Sequence, residues 1–463
     1  MGNLYYRLRK TKSIFDFNEL ENSEIYFASN KELNDPMEGY KNLIFNGDEI
    51  VWENFFKHYL RCLESSYQNY LIASETCFKD YCSEQIPVFI KVNEFPTTIY
   101  ETLFNQIWDD AFNLYGSVIE KIINRSTPVT KEELSCYLQA FNIIALSVIH
   151  KHYQLNLIVP KTNEYNYDYT NVIESIKKRI DIHEENINRE NFDKFVLLLT
   201  QVSAQSSDQL FLELKSNGND KSKSKKLHLL NFTKYYLNAI EKLTYPDVYT
   251  ASFMGRKAIH NSSVWGHYGD SHKGICLIFE ADDSDCLSFS TSKLEYGSKR
   301  LVADNKKLEF KKIEYEQDYP EIDFFRTLGV LPTGQIISDW YTKDKDISTI
   351  NYEVFDNENL WRDDYWNKFN SNNLIKMKDW EYEQEYRLIL NSGMRSQKDM
   401  LDRKLKYDFN SLHGIIFGIN TKEEDKLKII DIIKKKCAQY ERKEFKVYQA
   451  YHCNFKKNIQ FYS

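Results

Sequence analysis

Trp380-Glu-Tyr-Glu-Gln-Glu-Tyr-Arg-Leu-Ile-Leu390 is the stretch on which the expected fold depends. As a strand it alternates, so that Glu381, Glu383, Glu385 and Arg387 share one face. Like charges on one face of a strand repel one another, and strand stability does not require them. The stretch therefore predicts a β-strand whose charged face is either simply solvated or part of a site that needs negative charge.

Further strand-like runs lie towards both ends of the chain, at residues 3–8, 24–29, 248–253, 275–279, 414–418 and 445–451. Between residues 48 and 245, apolar residues recur instead at helical spacing. Only 15 Gly and 8 Pro interrupt the chain, which favours long helices. The sequence predicts an α+β fold in which a split, mixed β-sheet core is interrupted by a large all-helical insertion.

The predicted domains are a composite α+β domain, residues 1–45 and 246–463, and a helical insertion, residues 46–245. Helices are expected at residues 48–70, 98–123, 132–150, 171–182, 191–212 and 227–243. The polar run Ser216–Lys226 is expected to be a flexible loop. Thr421 is expected to cap a helix that runs to Cys437, with Glu424 at the capping-box position.

The composition limits the class of protein. A net charge of -7 argues against a surface that simply coats nucleic acid or an anionic membrane. None of the eight cysteines forms a CxxC pair, so no metal site is expected. Neither a signal peptide nor an apolar run of about 18 residues is present, so we expect a cytoplasmic protein with no membrane partner.

The first candidate site is the turn Leu33-Asn-Asp-Pro-Met-Glu38. Residues that precede Pro avoid the helical region, and Asn and Asp favour turns, so the segment is expected to form a fixed loop. Asn34 and Asp35 would either complete an ordinary turn or hold one edge of a ligand.

The second candidate site is Trp265-Gly-His-Tyr-Gly-Asp-Ser-His-Lys-Gly274. His267 and His272 are five residues apart, which does not suit two metal ligands on one helical face. The segment is either a surface loop without a role or a pocket that stacks a ring and donates hydrogen bonds.

The third candidate is the pair of Glu383 and Glu385. Two carboxylates that lie close together raise one pKa, and either can then stabilise a cation. The alternative is an exposed strand face with Arg387 as an ion-pair partner.

Taken in order, several segments resemble a widespread bacterial family known as domain of unknown function 2971. They are Leu4–Arg7, Ile25–Ser29, Leu33–Glu38, Ser252–Phe253, Val264–Gly274 and Trp380–Arg387. The resemblance covers the two ends of the chain, about half of its length, and the long helical insertion departs from the usual shorter linker. Either Tyr6 or Arg7 takes the polar position of the first motif.

The layout of these segments is similar to that of ADP-ribosyltransferase-like folds, in which three successive strands carry the site. The resemblance implies that Glu385 contacts a ribose hydroxyl of NAD and stabilises an oxocarbenium-like transition state, while Glu383 orients the acceptor. The implied NAD-binding residues are Arg7, Tyr6, Ser29, Asn34, Asp35, Ser252, Trp265, His267, Tyr268, His272, Lys273 and Arg387.

Three functions remain open from the sequence. The first is an NAD-consuming ADP-ribosyltransferase or NAD glycohydrolase that acts as a toxin or an antiviral defence effector, on an unidentified protein or nucleic-acid acceptor. The helical insertion would then contact a partner protein or sense a trigger. The second is a non-catalytic module that binds a nucleotide or a partner chain. The third is a metal-dependent nucleic-acid hydrolase that uses the carboxylates.

Overall fold

The computed structural model describes residues 2–72, 85–161, 168–185, 228–294, 301–391 and 400–462. The chain forms two compact units. The first contains Met1–Tyr40, Pro246–Tyr319 and Lys368–Ser463, and the second contains Lys41–Tyr245 and Pro320–Asn367. The second unit thus includes residues 320–367, which the predicted division assigned to the composite domain. That division into folding domains stays a prediction.

The strands of the described residues are, in chain order, β1 Leu4–Arg9, β2 Glu24–Tyr26, β3 Ala28–Ser29, β4 Asn42–Phe45, β5 Val129–Thr130, β6 Val248–Met254, β7 Ile275–Glu280, β8 Cys286–Leu294, β9 Leu301–Glu309, β10 Lys311–Lys312, β11 Glu314–Glu316, β12 Glu321–Asp323, β13 Thr342–Lys343, β14 Asp346–Ile347, β15 Ile375–Met377, β16 Glu385–Asn391, β17 Lys404–Tyr407, β18 Leu412–Phe417, β19 Lys446–Cys453 and β20 Asn458–Tyr462.

The α-helices of the described residues are α1 Thr11–Asp16, α2 Glu49–Ile72, α3 Thr98–Ile123, α4 Lys131–Leu155, α5 Thr170–Glu185, α6 Phe232–Ile240, α7 Ser262–Tyr268, α8 Thr333–Trp340, α9 Thr349–Phe355, α10 Glu358–Asn372 and α11 Glu423–Gln439. The predicted mixed α+β class is confirmed.

A nine-stranded sheet forms the centre of the first unit. Its order is β10-β16-β6-β1-β7-β18-β19-β20, and β3 also pairs with β6. β1 pairs antiparallel with β6 and β7, and β6 pairs antiparallel with β16. The strands that carry Leu4–Arg7, Ser252–Phe253 and the end of Trp380–Arg387 are therefore direct neighbours.

Both faces of this sheet are covered, which explains the continuous apolar character of its central strands. On one face, a core that we call the first core contains Tyr5, Phe253 and Leu388. On the other face, the second core contains Tyr6 and Met254. Because side chains alternate along a strand, this division decides which polar residues can meet.

Smaller sheets complete the first unit. Strands β2, β17, β8 and β9 form a four-stranded sheet in that order, and β11 pairs parallel with β15. The pairing of β11 with β15 matters for the site because it fixes Lys376, which lies in the middle of β15.

The second unit is mainly helical. The Thr97 hydroxyl caps α3 by accepting from the Tyr100 amide, and α3 begins and ends where the sequence predicts. The insertion is not entirely helical, however, because β5 pairs with β4, which also pairs with β12. The predicted helix at 191–212 and the predicted loop at 216–226 lie outside the described residues.

The structure corrects three local expectations. The stretch from Lys378 to Glu383 forms a 3-10 helix, and only from Glu385 does the chain become a strand. Trp265 to Tyr268, at the start of the segment for which a surface loop was one expectation, form part of the helix α7. Thr421 does not cap α11, since its hydroxyl donates to the Gly274 carbonyl at 2.8 Å and the N-cap residue is Lys422.

Among the residues that the structure describes, no helix is both long enough and apolar enough to cross a bilayer.

Candidate functional site

Five charged side chains of the first unit converge in one buried group, which we call the charged cluster. Its members are Glu38, Lys376, Glu383, Glu385 and Arg387, and their side chains are 2–5% exposed. Three carboxylates and two cations leave a formal net charge of -1. Glu383, Glu385 and Arg387 are therefore buried and not on a plain exposed face, whereas Glu381 is exposed.

The register of the sheet brings Glu385 and Arg387 to the same face. Arg387 lies opposite Ser252 on β6, and Glu385 lies opposite Met254. Leu388 packs into the first core on the other face. The Ser252 hydroxyl hydrogen-bonds the Glu385 carboxylate.

Glu383 reaches the same group by a different route. The 3-10 helix ends at Gln384, whose φ of 45° places it in the left-handed region. That residue reverses the backbone between Glu383 and Glu385, so that both carboxylates contact the ammonium group of Lys376. The two glutamates meet through a turn, not through strand alternation.

Lys376 is the cation common to all three carboxylates. Its Nζ lies 2.8 Å from Glu383, 3.2 Å from Glu385 and 3.2 Å from Glu38. It also lies 4.8 Å from the centre of the Trp380 ring, which is a cation–π distance. The position of Lys376 resembles that of a metal ion among carboxylates, and it offsets their mutual repulsion.

Arg387 binds two carboxylates at once. Its Nε donates to Glu385 Oε1 at 2.8 Å, and its Nη2 donates to both oxygens of Glu38 at 2.7 Å. Its Nη1 donates to the Asn373 carbonyl at 3.1 Å. Such multiple charge-assisted hydrogen bonds fix the orientation of the Glu385 carboxylate.

The environments of the two glutamates shift their pKa values in opposite directions. Burial raises the pKa of Glu383, and the attraction of Lys376 only partly opposes it. Burial alone would also raise the pKa of Glu385, but the charges of Arg387 and Lys376 outweigh it and lower that pKa to about 2. Paired carboxylates with separated pKa values are typical of sites in which one holds a proton and the other stays ionised.

Residues of the aromatic segment border the cluster. The Tyr268 hydroxyl donates to Glu383 Oε1, and burial together with that carboxylate raises the pKa of the phenol. The exposed His267 ring lies 3.1 Å, through Nδ1, from the Tyr382 hydroxyl. On the side next to Glu383, the cluster is therefore bordered by side chains that reach the protein surface, such as that of His267.

Among the other residues of this segment, Trp265 and His272 make their hydrogen bonds away from the cluster. Trp265 is 0% exposed and donates its indole N–H to the Ile259 carbonyl at 2.8 Å, so it presents no ring face to a ligand. His272 Nε2 lies 3.4 Å from the Ser262 hydroxyl. Lys273 is exposed.

The Asn-Asp-Pro turn also borders the cluster. The exposed Asn34 hydrogen-bonds Tyr268 through its side chain, and Asp35 Oδ1 accepts from the Met37 amide at 2.9 Å. Ser29 belongs to a different network, since its amide and hydroxyl donate to Glu32 Oε2 at 2.8 and 2.7 Å.

The first strand does not contribute to the cluster. Arg7 shares the face of the first core, where its guanidinium lies 5.2 Å from the Phe253 ring and donates to the Ser252 and Tyr26 carbonyls. Burial lowers its pKa. Tyr6 lies on the cluster's side of the sheet but is packed into the second core, 3% exposed. The structure does not bring Arg7 and Glu385 together.

Three residues next to Glu383 or Glu385 were not predicted from the sequence, namely Glu38, Lys376 and Tyr315. Tyr315 accepts a hydrogen bond from the Glu385 amide at 2.8 Å through its hydroxyl. Lys376 stands between Ile375 and Met377, and a lysine in a short apolar strand was the available signal. Glu38 closes the Asn-Asp-Pro motif but has no local feature that distinguishes it from a solvated turn residue.

Among the described residues, no group of three or more His, Cys, Asp or Glu side chains is arranged to hold a metal ion. The three carboxylates of the cluster contact Lys376 and Arg387 instead.

Residues 264–388 match the model of a family described as Protein of unknown function (DUF2971). This segment belongs to the DUF2971 family. The predicted family is thereby confirmed, over a shorter range than the resemblance covered. The DUF2971 segment contains Tyr268, Lys376, Glu383, Glu385 and Arg387, whereas Glu38 and the Asn-Asp-Pro turn lie before it. No curated protein and no solved structure matches the chain.

Proposed function

We propose that the protein is an NAD-consuming enzyme, an ADP-ribosyltransferase or NAD glycohydrolase with an ADP-ribosyltransferase-like core. The observation that carries the proposal is the pair of Glu383 and Glu385, held on one ammonium group with opposite pKa shifts. The direct adjacency of β1, β6 and β16 supports it, because these strands carry the three ordered motifs.

Glu385 is suited to stabilise a developing positive charge. Breaking the bond between nicotinamide and ribose produces an oxocarbenium-like sugar, and a fixed carboxylate in a water-poor site stabilises such a cation more than it would in water. The lowered pKa keeps Glu385 ionised throughout the neutral range. Ser252 and Arg387 hold its carboxylate in one orientation.

Glu383 is suited to handle a proton. Its raised pKa brings it closer to neutral pH, and Tyr268 donates to the oxygen that Lys376 does not hold. In the proposed reaction Glu383 accepts the proton of the attacking hydroxyl group, from water or from a protein or nucleic-acid acceptor. Arg7 and Trp265 have no part in this site, since one lies on the other face and the other is enclosed in the core.

The test is to incubate the full-length protein with NAD and to measure nicotinamide release and transfer of labelled ADP-ribose to cell lysate. We expect Glu385→Gln to lower turnover at least a hundredfold, on the order of the loss of one preorganised electrostatic contact. Tyr268→Phe removes the hydrogen bond to Glu383 and should lower turnover about tenfold or more, the usual effect of losing one hydrogen bond to a charged group.

Glu381→Gln is the matched control, because Glu381 lies in the same segment but is exposed. It should keep wild-type turnover. Thermal unfolding of each variant separates loss of chemistry from loss of fold. The proposal would be contradicted if the wild type neither released nicotinamide nor transferred the label, and if Glu385→Gln behaved as the wild type in cells.

A toxin or antiviral effector role follows if the activity is confirmed. Expression of the wild type should then deplete cellular NAD and arrest growth, and Glu385→Gln should not.

A second candidate is a nucleotide-binding module without catalysis. One observation favours it: Glu385 is 3% exposed and both its oxygens contact Arg387 or Lys376. Thermal stabilisation by NAD without nicotinamide release would support this candidate over the enzyme.

A further inference from the structure

The Asn-Asp-Pro turn contains a buried carboxylate oxygen without a partner. Asp35 is 5% exposed, and its Oδ1 accepts from the Met37 amide at 2.9 Å. Its Oδ2 is buried and makes no hydrogen bond to any residue that the structure describes. An unsatisfied buried acceptor costs about 1–3 kcal/mol, and more when it is charged, so this atom calls for an explanation.

The turn is fixed on both sides of Asp35. Asn34 hydrogen-bonds the hydroxyl of Tyr268, which itself donates to Glu383. Glu38 is held by both hydrogen bonds from Arg387 Nη2, and Tyr319 donates to the Met37 carbonyl at 3.1 Å. The turn is therefore held on one side of Asp35 by Tyr268 and on the other side by Arg387 of the cluster.

Asp35 and the cluster share an electrostatic environment. Burial, together with the charges of Asp35 and Glu38, raises the pKa of Tyr319 to about 12. With Asp35, four carboxylates face two cations, so the formal net charge becomes -2. This environment favours a ligand group that is positively charged and also donates a hydrogen bond.

We propose that Asp35 Oδ2 accepts a hydrogen bond from the carboxamide N–H of the cationic nicotinamide ring, which makes Asp35 a specificity-determining residue. The inference rests on the proposed function and names how the leaving group is recognised. The oxidised ring is a pyridinium with an amide donor, whereas the reduced ring has the amide but lacks the charge.

The 3-acetylpyridine analogue of NAD separates the two features, because it keeps the pyridinium charge and replaces the amide donor with a methyl ketone. Asp35→Asn keeps an oxygen for the Met37 amide and replaces the unpartnered acceptor with a donor. The experiment measures KM and kcat of the full-length protein and of Asp35→Asn with both dinucleotides.

With NAD, we expect Asp35→Asn to raise KM by about ten- to a hundredfold, the usual range for a hydrogen bond to a charged group. With the 3-acetylpyridine analogue, the same substitution should raise KM clearly less than with NAD, because only the charge of Asp35 and not a hydrogen bond to the ligand is then lost. A merely structural role of Asp35 would raise KM for both dinucleotides alike, and that result would overturn the inference.

Asp339→Asn is the matched control, because Asp339 lies in the second unit and also has a buried Oδ2 without a partner among the described residues. It should leave both KM values unchanged. If the wild type releases nicotinamide and Asp35→Asn matches it with both dinucleotides, the inference alone fails. If the wild type neither binds NAD in calorimetry nor releases nicotinamide, the proposed function fails and the inference with it.

Discussion

At the residue scale, Lys376 is the side chain that makes the charged cluster possible. Three buried carboxylates within 3.2 Å of one ammonium group are stable only while that group is charged. Burial by itself lowers the pKa of Lys376, but the charges of Glu385, Glu38 and Glu383 raise it well above its ordinary value. The lysine therefore remains charged throughout the neutral range.

We expect Lys376→Met to lower the free energy of unfolding by about 3–5 kcal/mol, the usual cost of removing one partner from a buried ion-pair group. Urea denaturation measures the change. Lys378→Met is the matched control, since Lys378 is exposed in the same segment and should change stability by less than about 0.5 kcal/mol. Similar losses in both variants would show that Lys376 does not hold the carboxylates together.

The pKa of Glu385 also predicts a pH dependence of stability. Its pKa falls from 4.5 to about 2 on folding, so the folded state binds this proton more weakly than the unfolded state. The resulting stabilisation, about 3 kcal/mol, is fully present above pH 4.5 and is lost as the pH falls towards 2.

Urea denaturation between pH 5 and pH 2 should therefore show a shallower loss of stability for Glu385→Gln than for the wild type. Glu381→Gln should keep the wild-type slope. Equal slopes for all three proteins would contradict the assignment of the low pKa to Glu385.

At the element scale, close approach of two loops fixes the segment that carries Tyr268. The Gly418 and Asn420 amides donate to the Gly274 and His272 carbonyls at 3.0 and 2.9 Å. A Cβ at Gly418 would lie 2.3 Å from the His272 carbonyl oxygen, which is backbone and cannot rotate away. The loop after α7 and the loop before α11 are thus packed without room for a side chain.

We expect Gly418→Ala to lower the free energy of unfolding by about 1–3 kcal/mol because of this overlap. Gly266→Ala is the contrasting variant, because Gly266 lies inside α7 and an added Cβ meets nothing within 4 Å. It should stabilise the protein by about 0.5–1 kcal/mol through helix propensity. Thermal or urea denaturation measures both, and the same sign for the two variants would contradict the packing argument.

The junction before β16 shows where local pattern failed. The alternation of charged residues predicted one continuous strand, yet Gln384 adopts a left-handed conformation and ends a 3-10 helix. Only Gly adopts that region at low cost, so nothing in a glutamine signals it. Glu383 and Glu385 do both contact Lys376, but they meet through this turn and not through the strand alternation that the sequence suggested.

At the scale of the whole molecule, the chain passes four times between the two compact units, after Tyr40, Tyr245, Tyr319 and Asn367. The second unit needs residues 320–367 because Phe324 and Phe325 pack against Phe45 and Phe55, and β12 pairs with β4. These aromatic residues are 0% exposed. An excision at the predicted boundaries would therefore divide one aromatic core.

We expect a variant in which a flexible linker replaces residues 46–245 to aggregate, because it exposes Phe324, Phe325 and Trp340. A variant that replaces both 41–245 and 320–367 removes this core completely and should not aggregate. Gel filtration distinguishes the two, and hydrogen exchange at β6 reports whether the central sheet is retained. Equal behaviour of the two variants would contradict the observed composition of the second unit.

The sequence by itself determined the class, the family and the segments that matter. Helical spacing located α3 to the residue, and strand-like runs located β6, β7 and β18, because apolar periodicity follows directly from which face is buried. Residue type also drew attention to Glu383, Glu385 and Tyr268, which lie close together, while their membership of one functional site stays a prediction.

Only the tertiary structure decided which charges meet. Lys376 and Glu38 are 338 positions apart, and Arg7 is excluded from the cluster by the face of β1 on which it lies. Sheet register and strand order set these relations, and both depend on contacts between segments that are distant in the chain. The sequence shows that a residue is charged, but only the fold determines whether that charge is solvated or buried against a partner.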